Sequence, residues 1–289
     1  MPHADSQARH IATAFATHPE VLAVAMGGSR TRPHTSADAK SDLDLYVFTT
    51  RDIPLAARRH LVAQLGGLDT AQFDQPFWGL SDQWIDPVVA VHVDVNYFDA
   101  DWMQETVLRV VEGHEPSLGY TTCFWRTIAH AQVLADHTRW LEDLRARVAV
   151  PFSDQLRDRI IAHNHPVLRS IYTSYLAQAE TAAIRSDWVS VNHRVAALLA
   201  SYFDCLFAAN RVLHPGEKRL VDFAEVACEH RPPEMREHVN GVLRATSPST
   251  EPAVAARVLV EAIERLLDGL DEALDRAGVH RTPGRPTDA

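Results

Sequence analysis

Lysine is almost missing from this chain: only Lys40 and Lys218 stand against a large excess of arginine. Positive charge is short overall, and the formal net charge is -10. Proteins that grip nucleic acid through its phosphates carry a basic patch. The charge balance therefore argues against a large nucleic-acid footprint. Cysteine is scarce too. Cys123, Cys205 and Cys228 show no metal-ligand spacing and no disulfide framework. Cys205, inside the apolar run YFDCLF, reads as a small buried hydrophobe rather than a nucleophile. No apolar run approaches the ~20 residues needed to span a bilayer. The first residues, MPHADSQARH, lack the apolar centre of a signal peptide. The expectation is a cytoplasmic protein with no membrane partner. No internal repeat is visible.

What remains is ordinary globular composition, 46% hydrophobic and 23% charged. A length of 289 residues suits one large domain or two of ordinary size. Spacing of apolar residues predicts a helix over 5–18, a buried strand at Val21–Met26 and a polar loop over 30–40. A strand at Leu43–Phe48 follows, then a helix over 54–66. The aromatic, turn-rich stretch 76–85 is a further strand candidate. Alternation of Val89, Val91, Val93 and Val95 with polar or small residues marks 88–98 as a strand. A helix follows over 101–112. Beyond about residue 115 the β signal stops. Residues 124–148 read as helical, a long helix runs over 188–211 with Asp187 as its cap, and another covers 251–277. The tail from 280 reads as disordered. Strands mixed with helices, then helices only, predict an α/β or α+β domain followed by a helical bundle.

One stretch needs explanation: GGSRTRPHTSADAKSDLDLYVF, residues 27–48. On a strand, residues two apart share a face. Asp42 and Asp44 would project together, while Leu43, Leu45 and Val47 enter the core. Asp94 shares a face with His92 and Asn96 on the later strand. If the two strands are neighbours, three carboxylates converge, and such a cluster needs neutralising. Mg²⁺ does this with one or two carboxylates plus substrate phosphates, and two ions can serve the attacking and leaving oxygens. Gly27 and Gly28 would let backbone N–H groups approach an anion, with Ser29 adding a hydroxyl. A Gly-Gly-Ser alone is usually a turn, and Asp-x-Asp alone is usually a solvated strand face. The ordered combination is more specific than either.

Gly27-Gly28-Ser29, then Ser41-Asp42-Leu43-Asp44-Leu45, then Val93-Asp94-Val95 resembles the polymerase-beta-type nucleotidyltransferase superfamily. The likeness covers roughly residues 20–97, and the helical remainder is similar to the C-terminal halves of bacterial antibiotic nucleotidyltransferases. The resemblance implies an α+β fold: a mixed β-sheet flanked by helices, then an all-α bundle. It divides the chain into a catalytic domain (1–115), a helical connector (116–150), a bundle (151–279) and a tail (280–289). It also implies Asp42, Asp44 and Asp94 as ligands of two Mg²⁺ ions, with Asp94 a possible general base. Gly27, Gly28 and Ser29 become nucleotide contacts. The implied reaction moves a nucleoside monophosphate, AMP by default, from a nucleoside triphosphate such as ATP to an acceptor hydroxyl. The acceptor would be a small molecule such as an aminoglycoside-like antibiotic. A protein acceptor, an antitoxin-like role or a non-catalytic nucleotide-binding protein are the alternatives, and the family offers monomers and homodimers.

The helical half adds candidates of its own. Lys218 in HPGEKR is either a phosphate clamp or a solvated charge on a turn. His193, Ala197, Ala200, Asp204, Ala208 and Arg211 form a stripe that would line an acceptor groove or pack closely on another helix. Asp204, flanked by Phe203 and Cys205, needs a partner if buried. Asn164 and His165, just before Pro166, either face a cleft or start a helix. Arg157 and His163 fit the Arg-to-His spacing of ribonucleases found beside such transferases, a pattern that chance also produces.

Overall fold

The computed structural model describes residues 4–31, 41–76, 79–247 and 251–279. The chain forms two compact units: residues up to Leu108 with Phe124–Val150, and Arg109–Cys123 with the residues from Pro151 onward. The fold is α+β, a mixed six-stranded sheet flanked by helices and a helical C-terminal region.

In chain order the first unit contains α1 (Ala4–Phe15), β1 (Val21–Met26), β2 (Leu43–Thr49), α2 (Leu55–Gln64), β3 (Gln72–Gln75), β4 (Ser81–Ile85) and β5 (His92–Asp99). Then come α3 (Ala100–Val111), α4 (Cys123–His130), β6 (Gln132–Asp136) and α5 (Trp140–Val148). The strands lie in the order β3-β4-β5-β2-β1-β6. Only β2 and β5 run parallel; the other neighbours are antiparallel.

Alternation along β2 and β5 decides the two faces. Leu43, Leu45 and Val47, with Val93, Val95 and Tyr97, join a core with Ala8, Ile11, Ala12 and Phe15 of α1 and Leu61 and Val62 of α2. The opposite face carries Asp44, Tyr46 and Phe48 beside Asp94, Asn96 and Phe98. At its far end Phe48 packs on Trp140 and Phe98 on Trp102 and Phe124. The polar end of that face is thus left to Asp44 and Asp94.

Three expectations need correction. Residues 124–148 are not all helical, because β6 interrupts them. Its five residues are all partly exposed, so no burial alternation marks the strand. The strand expected over 88–98 begins only at His92. Asp86 Oδ1 accepts the N–H groups of Val88 and Val89, each at 2.9 Å, and turns the chain there. Gln7 holds the other oxygen of Asp86 at 2.7 Å. The candidate strand in 76–85 shortens to β4 and pairs with the unexpected β3. Residues 32–40 of the expected loop, Trp78, and the tail from 280 lie outside the described residues.

The second unit holds α6 (Asp154–Asn164), α7 (Pro166–Arg169), α8 (Tyr175–Ile184), α9 (Trp188–Ala209), α10 (Leu220–Ala227), α11 (Met235–Ala245) and α12 (Pro252–Arg276). Side-chain caps start several of them. Asp187 accepts Ser190 N–H at 3.0 Å, as expected, and Ser153 accepts Leu156 N–H at 3.1 Å. Among the described residues no helix is long and apolar enough to cross a membrane.

The stripe on α9 has a packing explanation. A side chain at Gly119 would place its Cβ 2.9 Å from the Ala200 Cβ, so two small residues allow the segment before α4 to lie against α9. Asp204 anchors the same segment. Its Oδ1 accepts Thr121 N–H at 3.1 Å, and its Oδ2 accepts the Thr121 hydroxyl at 2.6 Å and the Asn164 amide at 3.2 Å. Asn164 also accepts Gly119 N–H at 2.9 Å and donates to the Ser117 carbonyl at 2.9 Å. On α6, Arg157 and His163 stand six residues apart, about 240° around the helix, and share no face. Arg157 is paired with Asp154 and Asp158.

Candidate active site

β1 ends at Met26, and the chain turns through Gly27 into a short 3-10 turn, Gly28–Thr31. The Gly27 N–H donates to the Asp44 carbonyl at 2.9 Å, which ties the turn to β2. Both glycines are demanded by close approach. A Cβ on Gly27 would stand 2.2 Å from Cε2 of Tyr46, and one on Gly28 would stand 1.7 Å from Oδ2 of Asp44. Gly28 also has φ +66°, a conformation that costs other residues about 1 kcal/mol. The turn backbone therefore lies directly against the Asp44 carboxylate.

Parallel pairing sets Asp44 beside Asp94 on the same face, with neighbouring strands spaced about 4.8 Å apart. Asp42 precedes β2 by one residue and is exposed. Gln83 of β4 stands opposite Asp94 from the other side. Four side chains thus cross three strands in a row: Asp44 on β2, Asp94 and Asn96 on β5, Gln83 on β4.

The Asp94 carboxyl is pushed above the ordinary carboxylate range. Burial is the main cause and the Asp42 charge adds to it, while His92 and the nearby Asn96 and Gln83 amides oppose the rise. One of its oxygens, Oδ1, is buried with no hydrogen-bond partner. Leaving such an atom unpaired costs about 1–3 kcal/mol, and a bound water or ion would relieve that cost.

Arg30, unmarked by the sequence reading, staples the two ends of the segment between the turn and β2. Its Nε donates to the carbonyls of Ser41 and Asp42, each at 3.1 Å, and Nη2 donates to Ser41 at 2.5 Å. A guanidinium is thereby fixed beside the backbone of Asp42. Gln83 was also missed, since it became relevant only once β4 was known to pair with β5. The opposite face of β4 shows what holds Gln83 in place. Asp82 is fully buried, where it accepts Arg58 Nη1 at 2.5 Å and the Tyr97 hydroxyl at 2.8 Å.

The structure thus brings together Gly27, Gly28, Asp44 and Asp94, with Asp42 at the strand entrance. Ser29 lies in the turn, and its side chain is outside the described residues. Lys218 is exposed on the turn before α10, in the second unit.

Among the described residues, no three His, Cys, Asp or Glu side chains are placed to hold a metal ion by themselves. The donors present do suit a hard cation of the Mg²⁺ kind: oxygen ligands, two carboxylates in register, and an unpaired buried oxygen. Such an ion is commonly held by one or two carboxylates plus phosphates and water. An ion bound here would need further ligands from outside these side chains.

No family model matches the chain, and no curated protein does. Among solved structures, a nucleotidyltransferase-like protein from Exiguobacterium sibiricum 255-15 matches over 95% of this chain and 78% of its own, at 11% identity and a TM-score of 0.43. A likeness at that level decides neither family nor activity.

Proposed function

We propose that the protein is a Mg²⁺-dependent nucleotidyltransferase, moving a nucleoside monophosphate from a triphosphate to an acceptor hydroxyl and releasing pyrophosphate. The supporting observation is the register of Asp44 with Asp94, beside a glycine turn pressed on Asp44 and with Asp94 Oδ1 left unpaired. Asp42, Asp44 and Asp94 would hold the ions, two of them in the full reading. Bound magnesium would neutralise phosphate charge and acidify the acceptor hydroxyl.

The chain's own residues do the rest. The Gly27–Gly28 backbone can approach a phosphate because neither residue carries a side chain to block it. Asp94 offers its free oxygen to the acceptor side and can take up the hydroxyl proton. The aromatic rings at the far end of the same face pack on one another and bound it on one flank. ATP is the default nucleotide. A small-molecule hydroxyl, aminoglycoside-like as one candidate, is the default acceptor.

The test is calorimetric titration of ATP, or a nonhydrolysable analogue, with and without Mg²⁺. The wild type is compared with the double variant Asp42→Asn/Asp44→Asn. Metal-dependent binding should appear in the wild type and vanish in the variant. Equal binding in both would move the nucleotide elsewhere, and no binding of any nucleoside triphosphate would end the proposal.

A further inference from the structure

We infer that Arg30 is a positioning residue for Asp42: its guanidinium, bonded to two successive backbone carbonyls, fixes the stretch of chain that carries this acid. The inference rests on the reading of Asp42, Asp44 and Asp94 as metal ligands. Three observations carry it. The first is that Asp42 lies beyond the support of the sheet. The register of β2 with β1 runs only as far as Leu45, with one further bond from the Gly27 N–H to the Asp44 carbonyl. The register of β2 with β5 begins at Leu43. Among the described residues, neither ladder reaches the backbone of Asp42.

The second is which carbonyls Arg30 takes. Its Nε donates to Ser41 and to Asp42, each at 3.1 Å, and its Nη2 donates to Ser41 again. The Ser41 carbonyl belongs to the peptide before the Asp42 Cα, and the Asp42 carbonyl to the peptide after it. Peptides are planar, so holding both planes fixes the two backbone dihedrals of Asp42 and the direction of its Cα–Cβ bond. The third observation is where Arg30 comes from. It belongs to the turn Gly28–Thr31, whose first residue packs on the Asp44 carboxylate. Thr31 Oγ1 closes that turn on the Gly28 carbonyl at 3.3 Å. One turn therefore sets the backbone of Asp42 and the carboxylate of Asp44 relative to each other. Partners that orient a metal-ligating group typically change metal affinity about ten- to hundredfold when removed.

The experiment uses the full-length chain and a defined probe, Mn²⁺ with α,β-methylene-ATP. Affinity for the analogue is measured with and without Mn²⁺ in the wild type, Arg30→Met, Arg30→Lys and Asp42→Asn. Methionine keeps an unbranched stem and removes the guanidinium. Arg30→Met should weaken the metal-dependent binding about ten- to hundredfold, while its metal-free affinity matches the wild type. Arg30→Lys keeps the charge without the planar fork. It should show most of the same loss, and it serves if the methionine variant folds poorly. Wild-type affinity in Arg30→Met, alongside loss in Asp42→Asn, would overturn the inference and leave the site standing. So would full affinity in Arg30→Lys, since charge alone would then suffice. Loss in Arg30→Met with none in Asp42→Asn would rule out the route through Asp42. An equal loss with and without Mn²⁺ would also overturn the inference, because the guanidinium would then act on the nucleotide or on folding. Absence of metal-dependent binding in the wild type would remove the inference together with the function it rests on.

Discussion

Asp94 in the sheet and Asp204 in the helical unit are both carboxylates withdrawn from water, and both titrate high. They differ in how their oxygens are used. Asp204 is 2% exposed, and both its oxygens are taken by the Thr121 N–H, the Thr121 hydroxyl and the Asn164 amide. All those donors are neutral, and burial pushes its carboxyl up to about 7. Asp94 keeps one oxygen bare. A carboxylate whose two oxygens are both answered from within the fold belongs to the architecture. Asp94, in register with Asp44, has an oxygen that the described residues leave unanswered.

The contrast can be broken in four ways. The largest effect should come from Asp94→Asn, which keeps the shape and removes the charge. Turnover should fall at least about 10²–10³-fold, while the melting temperature holds or rises, because the repulsion from Asp42 is relieved. A clear drop in melting temperature would place Asp94 with Asp204.

Next is pH. Asp204 titrates near 7 in the folded chain against 3.8 for a free carboxyl, so the folded state binds the proton more tightly than the unfolded one. Its contribution is complete below about pH 4 and is lost as pH rises through about 7. Between about pH 4.5 and 7.5 the wild type should lose on the order of 3 kcal/mol relative to Asp204→Asn in urea denaturation. Parallel stability curves would show that Asp204 stays ionised.

Asn164→Ala should cost about 1–3 kcal/mol in the same assay, since the Gly119 N–H loses its partner and Asp204 Oδ2 keeps only the Thr121 hydroxyl. An unchanged denaturation midpoint would mean that the Thr121 contacts hold the segment alone. Gly28→Ala is the mildest on stability, about 1 kcal/mol from backbone conformation. The new Cβ must also displace Asp44, so nucleotide affinity should fall as well. Calorimetry showing full affinity would detach the turn from the site.

What the sequence showed and hid follows the same physics. β1, β2 and most of β5 were legible because burial on one face imposes alternation or a short apolar run. The cap at Asp187 was legible because capping is local. β6 was not, since an edge strand half-buried along its whole length imposes no alternation. The convergence of Asp44 and Asp94 could be stated only conditionally, because strand adjacency is decided by residues elsewhere. Arg30 and Gln83 were missed for that reason: each stands against a partner at least 11 residues away in sequence. For Asp204, burial could be anticipated from Phe203 and Cys205, but not Thr121, which lies 83 residues distant.

The parallel register of β2 and β5 has one more consequence. Sliding β5 by a single residue would turn Asp94 into the packed interior and leave Val93 and Val95 facing water. A charge stranded there costs several kcal/mol, so the slipped pairing is self-rejecting. The acids that would serve the ligand also proofread the assembly of the sheet. A variant with valine at positions 44 and 94 would lose that veto, and its strands could settle in more than one alignment.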